Sequence, residues 1–127
     1  MINDKQKILA HLVELSHWEW ANLPLLKTVV GRHVYYCIAQ DTFFNANSPT
    51  DRSLKQVLNH PEYTDRAVRM KLRELEDEGL ITRVYSENDK RSRQIVPTAK
   101  LLELMAQHAE TMQKLLEKDF IILERES

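Results

Sequence analysis

The chain has 127 residues, 18 Lys and Arg against 19 Asp and Glu, a formal net charge of −1 and 43% hydrophobic residues. That is the balance of one globular domain with an apolar core, too small for a multidomain enzyme and too apolar to be wholly disordered. No apolar run approaches the ~18 residues of a membrane helix, and residues 1–7 lack the basic start and apolar block of a signal peptide, so a cytoplasmic protein without a membrane partner is expected.

The first apolar stripe, Ile8, Leu12 and Leu15 beside Leu9 and Val13, predicts a helix over residues 4–20. Asn22 and Pro24 read as the cap and first-turn proline of a second helix through Leu25, Leu26, Val29, Val30, Val34, Cys37 and Ile38. Gly31 inside that helix costs roughly 1 kcal/mol against Ala. Residues 45–50 form the clearest loop, and a short helix over residues 51–59 follows. Pro61 marks a turn, and Thr64 caps the next helix, residues 65–78, which stops at Gly79. Two short strands, residues 80–85 and 93–97, flank a polar turn, with Pro97 at a strand end. From Thr98 the helical period returns along Leu101, Met105, His108, Met112, Leu115, Phe120 and Leu123.

The middle of the chain thus reads helix, turn, helix, β-hairpin, the order of a winged helix-turn-helix, in which the second helix enters the major groove of DNA. Arg66, Arg69 and Arg73 share one face of that helix, with Lys71 near its edge and Val68, Leu72 and Leu75 anchoring it. Residues 65–73 hold four cations and one anion; Glu74, Glu76, Asp77 and Glu78 follow. Such a helix attracts phosphates at its front, where Thr64 and Asp65 also lie, and repels them at its rear. At the hairpin tip, Lys90, Arg91 and Arg93 make a second basic cluster in a chain that is not basic overall. Asp89 is placed to accept hydrogen bonds from Arg91 and orient it, and an arginine in a narrow minor groove meets enhanced negative potential.

Residues 64–83, with Gly79-Leu80-Ile81-Thr82-Arg83 after the helix, and Asp89-Lys90-Arg91-Ser92 followed by Ile95, Thr98 and Leu101-Leu102, resemble the recognition helix, wing and long C-terminal helix of MarR-family regulators. The similarity spans about residues 51–105. It implies a mainly α fold with a small β-hairpin wing, flanked by N- and C-terminal dimerisation helices. It also implies Arg91 as the minor-groove arginine, Asp89 as its orienting partner, and Arg66 and Arg69 toward the major groove. The chain departs from the family pattern in lacking a Gly shortly after Thr98 and in its long loop over residues 43–50.

One such unit covers little DNA, and specific binding typically needs about 1,000 Å² or more of protein surface, so a homodimer is expected. Its interface is assigned to Ile8, Leu12 and Leu15 of the first helix and to Leu101, Met105, Met112, Leu115 and Phe120 of the last, where Leu101, Met105, His108, Met112 and Leu115 alternate in spacing between four and three. The expected organisation is residues 1–24 as an N-terminal dimerisation helix, 25–98 as the DNA-binding domain and 99–127 as a C-terminal dimerisation helix. The expected function is a transcriptional regulator binding double-stranded DNA as a homodimeric repressor on a pseudo-palindromic operator. Alternatives are a winged-helix protein-interaction module, favoured by the near-zero charge, and a plasmid- or phage-replication DNA-binding protein.

Other chemistry has little support. One cysteine excludes an internal disulfide and a thiolate-rich zinc site, and two glycines, Gly31 and Gly79, make no phosphate cradle. His33 and Cys37 lie one helical turn apart, but no further ligand motif joins them, so no metal and no cofactor is expected. Cys37 as an oxidant sensor would need an activated thiolate. Trp18, Trp20, Tyr35, Tyr36, Phe43 and Phe44 read as core first and as a pocket for an unidentified small-molecule effector second. No nucleophile–base pair is visible, and an enzyme is not expected.

Overall fold

In the computed structural model, residues 2–44, 62–85 and 93–121 are described. Helix α1 (Asp4–Asn22) starts with a reciprocal cap: Gln6 N donates to Asn3 Oδ1 at 2.9 Å, and Asn3 N to Gln6 Oε1 at 3.0 Å. It closes when Leu23 N donates to Glu19 O at 2.7 Å. Asn22 therefore ends α1 rather than capping its successor. Pro24 starts a single 3-10 turn, Pro24–Lys27, and the α-helical ladder resumes in α2 (Val29–Phe44). The cap is Thr28, whose hydroxyl accepts from Gly31 N at 3.0 Å. Gly31 is more than a tolerated weakness, because a Cβ there would lie 1.7 Å from Leu25 O. The 3-10 turn folds so closely onto the first turn of α2 that only a glycine leaves room.

Helix α3 (Asp65–Asp77) follows the sequence reading closely. Ala67 N donates to Thr64 Oγ1 at 3.1 Å at its start. At its end Leu80 N reaches Leu75 O at 2.9 Å and Gly79 N reaches Glu76 O at 3.0 Å, with Gly79 at φ 74°. These paired bonds form a Schellman cap, which needs a left-handed residue and so selects Gly. Strands β1 (Ile81–Tyr85) and β2 (Arg93–Pro97) pair antiparallel, from Ile81 opposite Pro97 to Tyr85 opposite Arg93. Pro97 sits at the end of the ladder, where its missing N–H costs least. Helix α4 spans Ala99–Glu117. The stripe beyond it does not stay helical: Phe120 lies in a turn after the helix, and Leu123 falls outside the described residues. The expected helix over residues 51–59 and the hairpin tip also fall outside them.

The chain divides into two compact units, residues 25–102 and residues 1–24 with 103–127. In the first, α2 packs on α3 and touches β2, and α3 packs on β1. Its core includes Leu25, Leu26, Val34, Tyr35, Ile38, Val68, Leu72, Leu75, Leu80, Ile81, Ile95 and Leu101. In the second, two histidines pair with carboxylates: the buried His11 through Nε2 with Asp119 Oδ2 at 2.6 Å at the surface, and His108 Nε2 with the buried Glu19 Oε2 at 2.8 Å. Trp18 stacks on the His108 ring at a centroid distance of 5.6 Å. No helix among the described residues is long and apolar enough to cross a membrane.

Candidate nucleic-acid interface

The site grows from the amphipathic order of α3. Val68, Leu72 and Leu75 are buried, which fixes the helix's rotation and turns Arg66, Arg69 and Arg73 to solvent. None of these three guanidinium groups pairs with an acid among the described residues. Together with Asp65 and Met70 they line one surface depression. The helix N-terminus adds its partial positive charge at the same end, while Glu74, Glu76, Asp77 and Glu78 load the other with negative charge. Thr64 is committed to its cap, and Asp65 is exposed in the first turn.

Lys71, expected near the edge of the arginine face, differs from the three arginines in having an acid partner. Its ammonium lies 2.7 Å from Glu74 Oε2, and its side chain is only 16% exposed. It lies to the side of the arginine face and is already neutralised there. Arg83, which the sequence reading left unassigned, also serves the fold: Nε lies 3.8 Å from Glu76 Oε2 with the side chain mostly covered.

The rear of α3 is tied to the front of α4. Thr98 N donates to Leu80 O at 3.0 Å, and the Thr98 hydroxyl, 2.7 Å from Gly79 O, points at the same exit. Lys100 Nζ donates to Glu78 O at 3.1 Å, a cation on the carbonyl end of α3. Lys100 carries no role in the sequence analysis; its signal is a Lys at the second position of α4.

Asp89, Lys90 and Arg91 lie outside the described residues. Arg93 opens β2.

The residues assigned to a dimer interface separate into two groups. Leu101, Met105 and Leu115 are already buried within one chain. Ile8 and Leu12 are exposed, and Leu15, Met112 and Phe120 are half-buried. The aromatic group also divides. Tyr35 is buried and Trp18 half-buried, while Trp20, Tyr36, Phe43 and Phe44 face solvent rather than a core. Cys37 Sγ lies 3.7 Å from Nδ1 and 3.8 Å from Nε2 of His33, and His33 packs against Tyr63. Burial pushes the Cys37 thiol up from its ordinary value, against thiolate formation. Among the described residues no three metal-binding side chains converge.

No protein-family profile and no curated protein matches the chain. Solved structures do. A point mutant of Staphylococcus aureus MepR, bound to an oligodeoxyribonucleotide, aligns over 95% of this chain and 86% of its own, with a TM-score of 0.59 at 18% identity. The chain has the winged-helix fold of MarR-type regulators. In that fold α3 is the second helix of the helix-turn-helix and β1–β2 the base of the wing. The transcriptional regulator Tm0710 of Thermotoga maritima shares the winged helix at a TM-score of 0.56 and 19% identity, over 68% of this chain; the match spans 57% of Tm0710. CouR of Rhodococcus jostii RHA1, bound to p-coumaroyl-CoA, shares it at 0.53 and 17%, over 84% of this chain and 69% of CouR.

Proposed function

We propose that this chain is a sequence-specific regulator of transcription that binds double-stranded DNA, and that it works as a homodimeric repressor on a pseudo-palindromic operator. The observation that carries the reading is the outward face of the recognition helix. Arg66, Arg69 and Arg73 are solvent-exposed, without an acid partner among the described residues, at the positive end of a helix whose other end is acidic. A helix so polarised docks N-terminal end first, with Arg66 and Arg69 at base edges and Arg73 on a phosphate. Lys90, Arg91 and Arg93 of the wing, with Asp89 orienting Arg91, extend the footprint on the strength of the sequence alone.

The exposed aliphatic row of α1, with Ile8 and Leu12, supports pairing of two chains. Two recognition helices on a twofold axis then reach successive major grooves, about one helical turn apart. That CouR was captured with an acyl-CoA supports control by a small molecule, whose identity is open.

Selection of bound duplexes from random DNA, followed by a salt series, tests the proposal. Inverted half-sites about 10 base pairs apart and an affinity that falls steeply with salt are expected. Failure to enrich any duplex, or binding indifferent to salt, overturns it.

A further inference from the structure

We infer that Met70 reads a thymine, its side chain lying against the C5-methyl group in the major groove and setting base preference at one position of each half-site. The inference rests on the DNA-binding reading above and adds to it a residue that carries no charge.

The geometry singles Met70 out. With 3.6 residues per turn, it falls within about 15° of the direction opposite the mean of the buried Val68, Leu72 and Leu75, at the centre of the outward face. Arg66 and Arg73 lie about 40° and 60° to one side of it, and Arg69 lies further round. Met70 is 56% exposed, and it is the sole large apolar side chain of α3 left in water. It lines the same depression as Asp65, Arg66, Arg69 and Arg73.

The flanking cations bring a polyanion to this face, and Met70 has no N–H or O–H to donate to it. Its thioether chain is flexible and apolar, and the apolar group that a major groove offers is the thymine methyl. Arginines on either turn can fix the helix on phosphates and guanines while Met70 adds discrimination that releases no counterion.

The test takes a duplex selected by the full chain and replaces its thymines one at a time by deoxyuridine, which keeps Watson–Crick pairing and removes only the methyl. Wild-type protein should lose about fourfold in affinity at one thymine of each half-site, the value of one methyl taken from water. Met70→Ala should show no loss at that position, with its salt slope unchanged, whereas Met70→Leu should keep the preference. Equal affinity for thymine and uracil at every position, or uracil sensitivity that persists in Met70→Ala, overturns the assignment and leaves the DNA-binding reading standing. A chain that enriches no duplex overturns both.

Discussion

Helices α1 and α3 cover opposite chemistry. On α3 the covered residues are Val68, Leu72 and Leu75 and the outward ones are charged, as expected of a helix that meets its own core on one side and water on the other. On α1 the covered residues are His11 and Glu19, while Ile8, Leu9, Leu12 and Val13 are 41%, 61%, 45% and 55% exposed. Four aliphatic side chains within two turns make a contiguous apolar surface of the kind that marks an interaction site. The contrast is that α3 buries its apolar side within the chain, whereas α1 leaves four aliphatic side chains in water. The dimer reading gives that aliphatic row an occupant, a second copy.

The same substitution on the two helices separates these cases most widely. Val68→Glu places an unpaired carboxylate at a fully buried site and should cost more than about 4 kcal/mol, a large part of the stability of a small domain. Leu12→Glu sits on the outward row and should change the stability of the single chain by less than about 0.5 kcal/mol. It should nonetheless split the dimer in sedimentation or light-scattering measurements. A chain that stays dimeric with Leu12→Glu removes α1 from the interface.

The covered polar side of α1 gives a smaller effect. Glu19→Ala deprives His108 Nε2 of its 2.8 Å carboxylate partner in a largely enclosed setting and should cost about 1–3 kcal/mol in urea unfolding. Glu110→Ala removes the partner of Lys114, a pair more than half exposed at both ends, and should cost no more than about 0.5 kcal/mol. Equal costs would mean that the His108–Glu19 pair is as dispensable as a surface one.

Helix α3 was legible in the sequence because its signals are local and agree: a capping Thr64, a clean apolar period, and Gly79 where the chain needs a left-handed residue. The same holds for the hairpin and its closing Pro97. The start of α2 was not, because the cap at Thr28 depends on a 3-10 turn whose Leu25 carbonyl occupies the space beside Gly31. Periodicity reports which side of a helix is apolar and says nothing about where the chain doubles back. Nor does it report what covers an apolar stripe: Leu101, Met105 and Leu115 are buried within the single chain, and no local pattern marks His11 and Glu19 as covered. On α3, charge spacing placed Arg66, Arg69 and Arg73 on one face, and all three are exposed. It also grouped Lys71 with them, although Glu74 stands three residues on, at the spacing of a helical ion pair.

On the outward side of α3, substitutions should move affinity and leave stability alone. Arg69→Ala should change unfolding by less than about 0.5 kcal/mol, since the side chain is exposed and meets no acid among the described residues. It should relax base preference at one position by about 1–3 kcal/mol. If Arg69 instead contacts phosphate, the variant weakens all sequences evenly and lowers the salt slope by about 1. The pattern across a mismatch series decides between the two. A stability loss as large as that of Glu19→Ala would place Arg69 with the covered residues and break the contrast between the helices.

The smallest effect concerns Cys37, where covering rather than a partner sets the chemistry. Its sulfur lies at nearly equal distances, 3.7 and 3.8 Å, from both nitrogens of His33, so it sits against the ring and not on one nitrogen's lone pair. Desolvation then acts on the thiol unopposed and raises its pKa. Alkylation by iodoacetamide at neutral pH should be slower than for a free thiol, and urea should speed it by exposing the sulfur. The neutral thiol's contribution to stability is fully present below the ordinary thiol pKa and fades as pH climbs through the raised folded value. Rapid alkylation of the folded chain near pH 7 would mean that His33 activates the sulfur after all, and would return Cys37 to consideration as a reactive group.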